Sequence, residues 1–145
     1  MDGLSCVVFP ANVGASPVEV LENTIPVIYE EKGFIPDSGG RGEFRGGLGA
    51  KHRFKVVSSK PIWISPVVDR TIVRAEGLFG GEHGTFFKIT VNGQEIPTKD
   101  FTMLQPGDVV TFETPGGGGY GNPEKREQAL IEQDIKAGLV TYSTN

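Results

Sequence analysis

Two arginines, Arg41 and Arg45, stand four residues apart in Ser38-Gly39-Gly40-Arg41-Gly42-Glu43-Phe44-Arg45-Gly46-Gly47-Leu48-Gly49. A planar guanidinium with little bulk around it can meet a carboxylate, a phosphate or bicarbonate through two parallel hydrogen bonds. The competing reading is a structural ion pair with Asp37 or Glu43. The pair Asp69-Arg70 follows Pro66-Val67-Val68 and is expected at a strand end, where it either presents charge from a rigid element or closes a salt bridge that holds the fold. His83, in Gly81-Glu82-His83-Gly84, sets an imidazole beside a carboxylate on glycine-rich backbone. That setting suits a base or a metal ligand, and equally an exposed loop residue. His52, between Lys51 and Arg53, is a weaker candidate. Glu19 and Glu22 share one face of an expected helical turn and could hold a divalent ion, although helix capping accounts for Glu19 more economically. Cys6 has no base or cation near it in sequence and reads as a small buried apolar residue.

These residues must be positioned by an unusual backbone. The chain carries 21 glycines in 145 residues, gathered in clusters at 38–42, 45–49, 77–84 and 116–119. Glycine loses the most conformational entropy on folding, so such clusters are expected to supply backbone geometries that other residues cannot reach. The run 116–119 could cradle an anion with successive N–H groups. It lacks the Gly-Lys-Ser/Thr ending of a nucleotide loop, so close backbone packing is the preferred reading.

Composition narrows the function classes. The length fits a single domain with one modest core, 37% of the residues being hydrophobic. A net charge of -4 argues against nucleic acid or an anionic membrane as main partner, since both reward clustered Lys and Arg. One cysteine cannot form an internal disulfide, which fits a reducing, cytoplasmic setting. No apolar run approaches the ~20 residues that cross a bilayer. Residues 1–16 show neither strand nor helix pattern and read as an extended arm needing a neighbour.

The periodicities predict a mainly β protein: an antiparallel sandwich- or barrel-like body over 52–114, glycine-rich irregular segments including a loop over 36–49, and a C-terminal helix over 122–138. Ser16 as cap, Pro17 as first residue and Glu19 three beyond the cap predict a short helix. Residues 26–32 read as extended. Strands are expected at 52–57, 62–64, 71–73, 86–91 and 109–114, with Asn92-Gly93 as a hairpin turn and Pro106-Gly107-Asp108 as a second turn. Asn122, Pro123 and Gly138 mark the start and stop of the last helix, with Leu130, Ile131, Ile135 and Leu139 as its inward stripe.

Four blocks in this order carry a family resemblance: the segment 16–22, Pro36-Asp37-Ser38-Gly39-Gly40 running on to Gly49, Asp69-Arg70, and Thr114-Pro115-Gly116-Gly117-Gly118-Gly119-Tyr120-Gly121-Asn122-Pro123. Together they resemble the C-terminal part of the hydantoinase B/oxoprolinase family, over nearly the whole chain. The resemblance implies a B-type partner of an ATP-binding A-type subunit in hydrolysis of cyclic amides such as hydantoins or 5-oxoproline, or in related ketone carboxylases. It places ATP and a divalent metal in the partner subunits, with no cofactor on this chain. It also implies polyproline-II-like glycine segments, and it favours Arg41, Arg45, Asp69 and Arg70, which lie within its blocks, as site residues beside His83, a candidate from its own setting. B-type proteins of the family are several times longer. The chain is therefore expected to be a small subunit or a fragment, inactive alone, in a hetero-oligomer with the A-type subunit and the remainder of a B-type subunit. A non-catalytic assembly subunit is the alternative, and a free-standing β-barrel binding module is a third reading.

Overall fold

A computed structural model describes residues 1–6 and 16–142. Its β body is a five-stranded antiparallel sheet of β1 (Val27–Phe34), β2 (Ala50–Val56), β4 (Lys88–Val91), β5 (Gln94–Glu95) and β7 (Val109–Glu113), in the order β1-β2-β7-β4-β5. A second, two-stranded sheet pairs β3 (Ile62–Ile64) with β6 (Thr102–Leu104). The fold is mainly β, as the periodicities predict, and the sheet does not close into a barrel.

The alternating pattern of β2 shows why a sheet forms. Phe54 and Val56 point inward while Arg53 and Lys55 stay in water, the period-2 arrangement of a half-buried strand. Phe54 and Val56 meet Val27, Phe87, Ile89, Leu104 and Val110 in one core, and Val110 is 0% exposed. Asn92 and Gly93, with φ of 51° and 82°, make the tight turn between β4 and β5, the two positive φ values of a type I′ hairpin. Gly107, at φ 92°, turns the chain into β7.

Several expectations are corrected. Residues 71–73 form a bend, not a strand, because Ile72 and Val73 have no neighbouring strand to pair with and are exposed. α1 is Val18–Thr24; Pro17 occupies its cap position and no side chain caps it, so neither Ser16 nor Glu19 has the capping role. The last helix is broken in two. Asn122 Oδ1 accepts the Glu124 N–H over a 3-10 turn at Pro123–Lys125, Arg126 is extended, and α2 runs over Gln128–Lys136. The break falls at Arg126, whose backbone is extended (φ -65°, ψ 130°) and whose side chain is buried. Ile131 and Asp134 form the buried face of α2, while Ile135 is exposed. Gly138, at φ 69°, ends the helix as expected.

The arm finds its neighbour within the chain. The Gly3 N–H donates to the Arg45 carbonyl at 2.7 Å, and the Leu48 N–H donates to Ser5 Oγ at 2.9 Å. Residues 7–15 of the arm lie outside the described residues. Cys6 is exposed, contrary to expectation, although its thiol reaches the Leu48 carbonyl at 3.9 Å.

Candidate functional site

The glycine clusters build a second layer beside the β body. The segment 114–122 bonds to both 38–49 and 74–84, and those two also meet directly, the Glu82 N–H donating to Arg41 O at 2.7 Å. The Gly40 N–H donates to Gly117 O at 2.9 Å, Gly117 to Gly47 O at 2.8 Å, Gly119 to Glu82 O at 2.9 Å, and Leu78 to Gly119 O at 2.9 Å. The segments of this layer are so close that a side chain would collide with main chain. A Cβ on Gly46 would lie 2.1 Å from Gly117 O, and one on Gly118 2.0 Å from Glu76 O. Among the described glycines only Gly80, Gly93, Gly107, Gly121 and Gly138 have positive φ. Most of the layer therefore uses glycine for close approach and not for unusual dihedrals, which corrects the expectation from entropy. The amides of Gly116, Gly117 and Gly119 are spent on Thr85 Oγ1, Gly47 O and Glu82 O. The packing reading of 116–119 thus holds, and these donors do not face a phosphate.

This layer fixes Arg41 and Arg45 in different states. Arg45 is 5% exposed. Its Nε and Nη2 donate to the two carboxylate oxygens of Asp134 at 3.0 and 3.3 Å, and Nη1 donates to Gly46 O at 2.8 Å. Asp134 also accepts from Arg126 Nη2 at 2.7 Å. Arg126 in turn holds both oxygens of Asp2, at 2.7 and 2.8 Å, and Asp2 Oδ1 accepts the Arg45 N–H at 2.8 Å. Two guanidiniums and two carboxylates, of which Asp2 alone is partly exposed, make a neutral network that ties residues 2–5 and α2 to the glycine layer. Burial raises the Asp2 pKa, but the Arg126 hydrogen bonds, the Arg45 amide and the two guanidinium charges outweigh it and hold the carboxyl below its ordinary value. The Asp2 hydrogen bonds foremost, with the charges of Asp2 and Asp134, raise the Arg126 pKa against the opposing effect of burial.

Arg41, half-buried, pairs with no carboxylate among the described residues. Its Nε is buried without a hydrogen-bond partner, and its guanidinium carbon lies 4.5 Å from the centre of the Tyr142 ring. Asp37, at φ 59°, instead accepts from the Thr141 amide and hydroxyl at 2.9 and 2.5 Å. Asp37 thus pins the C-terminal segment over the loop, and neither Asp37 nor Glu43 is the ion-pair partner considered for the arginines.

Asp69 and Arg70 lie beyond the end of β3, in irregular chain, not at a strand end. Asp69 pairs with Lys99 Nζ at 2.9 Å, which lowers its pKa. Arg70 is exposed at φ 62°. His83 is exposed and makes no hydrogen bond or ion pair among the described residues. His52 stands edge-on to Tyr29 at 6.2 Å, its pKa lowered by burial and then by Lys32. Glu22 accepts the Tyr29 N–H at 2.7 Å, so its carboxylate braces β1. Among the described residues no group of three or more His, Cys, Asp or Glu is placed to hold a metal ion. The candidates thus divide into a glycine-layer group and an outer group at Asp69 and Arg70, with no side-chain contact joining them among the described residues.

A cleft of about 570 Å³ opens on the glycine layer, lined by Leu4, Phe44, Arg45, Gly46, Gly117 and Tyr120. Tyr120 packs against Phe79 and Phe44 at 5.1 and 6.3 Å between ring centres. Sequence reasoning missed Asp2, Arg126 and Asp134. The available signal was Asp134 itself, an acidic residue three positions after Ile131 on the side of the helix that had to face inward.

No helix among the described residues is long and apolar enough to cross a membrane. The family model for hydantoinase B/oxoprolinase matches residues 1–123. An uncharacterized protein of Methanocaldococcus jannaschii is 38% identical over 125 residues, covering 83% of this chain and 22% of that protein. Caprolactamase subunit beta of Pseudomonas jessenii is 33% identical over 133 residues, covering 86% of this chain and 23% of the subunit. The nucleotide-free structure of acetone carboxylase, an enzyme of ATP-dependent acetone carboxylation, shares the fold with a TM-score of 0.76 at 21% identity, covering 96% of this chain and 24% of that one. The chain spans less than a quarter of the length of these relatives.

Proposed function

Because the chain belongs to the hydantoinase B/oxoprolinase family, we propose that it works as the glycine-layer module of an ATP-dependent cyclic-amide hydrolase or ketone carboxylase, completing a site shared with larger subunits. The observation that carries this reading is the layer itself. It matches the family in sequence, it is too tightly packed to bind a nucleotide phosphate, and it presents a half-committed Arg41 at its edge. ATP and a divalent metal then belong to the A-type subunit and to the rest of the B-type polypeptide. Within the shared site Arg41 is the residue with a guanidinium to offer to a carboxylate or bicarbonate group. Arg45 acts as a positioning residue through Asp134, which keeps the loop around Arg41 in place.

The test is reconstitution with A-type and larger B-type chains from the same source, followed by ATP hydrolysis with hydantoin, 5-oxoproline, caprolactam, or acetone plus bicarbonate. The chain alone should show no turnover, and substrate-stimulated ATP use should need all components. Turnover that proceeds undiminished without this chain would sink the proposal.

A docking-only role is favoured by one observation, the commitment of Arg45 and Asp69 to ion pairs within the chain. Arg41→Ala and His83→Ala separate the two readings. Loss of turnover in an intact complex supports a site role, and an intact, fully active complex supports docking alone.

A further inference from the structure

Two clefts of about 500 and 520 Å³ adjoin on the outer side of the β body and share Thr71. Lys88, Arg70 and Lys99 line them and Arg74 adjoins them through Phe86, and the pairing of these four cations is unequal. Lys99 holds Asp69 at 2.9 Å and Lys88 holds Glu95 at 3.1 Å, whereas Arg70 and Arg74 form no ion pair among the described residues. The Arg74 guanidinium lies over the Phe86 ring at 5.1 Å. This local excess of positive charge sits on a chain whose net charge is -4. Between the cations lie Ile72 and Val73, 86% and 68% exposed.

Exposed aliphatic side chains rimmed by charge mark a protein contact. The backbone is set for presentation. Arg70 and Lys99 both have left-handed φ, 62° and 67°, which long side chains adopt rarely. Both are held there, Arg70 O by the Phe87 N–H at 2.9 Å and the Lys99 N–H by Pro66 O at 2.7 Å. Walls this exposed would leave a small ligand largely in water, unlike the enclosed pockets that bind one. Two unpaired cations are also too few to follow a nucleic-acid backbone.

We propose that this double cleft seats a segment of the larger companion chain in which carboxylates are flanked by aliphatic side chains. Arg70 and Arg74 receive the carboxylates, and Ile72 and Val73 pack against the aliphatic flanks. The inference rests on the reading that the chain works inside a larger assembly. Its occupant follows from charge complementarity, since the surface offers two arginines with no ion pair among the described residues beside exposed apolar groups.

The assembly, purified from source cells through a tag on this chain, is compared with the free chain by amide hydrogen exchange. Residues 70–74 should exchange at least tenfold more slowly in the assembly. The double variant Arg70→Asp, Arg74→Glu should dissociate at least tenfold faster at physiological salt, while Lys136→Glu on α2 should leave dissociation unchanged. Aspartate tolerates the left-handed conformation at position 70. If the double variant does not fold, the exchange footprint on the unmutated assembly decides alone. An intact assembly with no protection at 70–74 overturns this inference and leaves the proposed function standing. A tagged chain that emerges folded and alone overturns both.

Discussion

The β body and the glycine layer are held together by opposite means. The body excludes water by filling space, with Leu104 and Val110 fully enclosed among the branched and aromatic side chains of two sheets. The layer has almost no side chains to pack. It brings three main-chain segments together until carbonyls sit where Cβ atoms would be, and it joins them with scattered hydrogen bonds and two isolated bridges at Tyr120 in place of a ladder. Lost side-chain volume in the body leaves a cavity whose cost varies with how far the neighbours relax. An added methyl in the layer meets main chain, which cannot turn aside. Packing by volume gives graded tolerance, and packing by backbone approach gives almost none.

The sharpest test sets Gly46→Ala against Leu104→Ala. The added Cβ would lie 2.1 Å from Gly117 O, so Gly46→Ala should abolish cooperative unfolding or lower stability by more than about 4 kcal/mol, at the diagnostic end of point-mutant effects. Leu104→Ala should cost about 2–5 kcal/mol and keep a cooperative transition. Urea unfolding followed by circular dichroism measures both, and a mild effect of Gly46→Ala would break the comparison.

Next in size is the ion network that fastens the layer to α2. Asp134→Asn leaves Arg45 and Arg126 buried with one carboxylate, Asp2, between them. Breaking a buried pair in this way costs about 3–5 kcal/mol, read as a lower urea midpoint. The double variant Arg45→Met, Asp134→Leu should recover part of that loss.

How much of this was legible in the sequence depends on the range of the interaction. The Asn92-Gly93 hairpin, the Gly107 turn and the Gly138 helix stop are local, set by which residues accept positive φ, and all three stand where the pattern places them. The bend at 71–73 resembles a strand because β-branched residues occur in both. Only the absence of a pairing partner, a tertiary fact, separates them. The Asp2–Arg126 and Arg45–Asp134 pairs span 124 and 89 residues, beyond any periodicity. Glycine content announced a special backbone, but not whether dihedral freedom or close approach required it.

A smaller effect concerns acid. Asp2 binds its proton more weakly in the native state than in the unfolded chain. Its stabilisation is therefore complete above the ordinary carboxylate pKa of about 3.9 and is lost as pH falls through the lower native value. The native protein should lose stability on acidification below about pH 4, and Asp2→Asn should flatten the stability profile in that window. Thermal unfolding at a series of pH values reads the slope, and an unchanged slope would remove Asp2 from the network's energetics.

The smallest effect runs the other way. Gly33, in β1, has no atom within 4 Å of the position a Cβ would take, and its φ is not positive. Gly33→Ala should therefore raise stability by about 0.4–1 kcal/mol through the unfolded state. A calorimetric rise for Gly33→Ala beside a collapse for Gly46→Ala would show that the comparison concerns place and not residue type.

The glycine segment at 114–122 touches chain that lies more than thirty residues earlier on one flank and about seventy earlier on the other. None of its contacts can form while the chain is short or the sheets are apart, and loop closure precedes every gain. The hairpin of β4 and β5 closes across Asn92 and Gly93 alone. Time therefore divides the molecule as space does: the hairpin belongs to the first events of folding, and the glycine layer, locked by the meeting of Asp2 with Arg126, belongs to the last. During synthesis the ribosome must release Arg126 before that lock can close, so Asp2 waits while 124 further residues are made before it finds its partner.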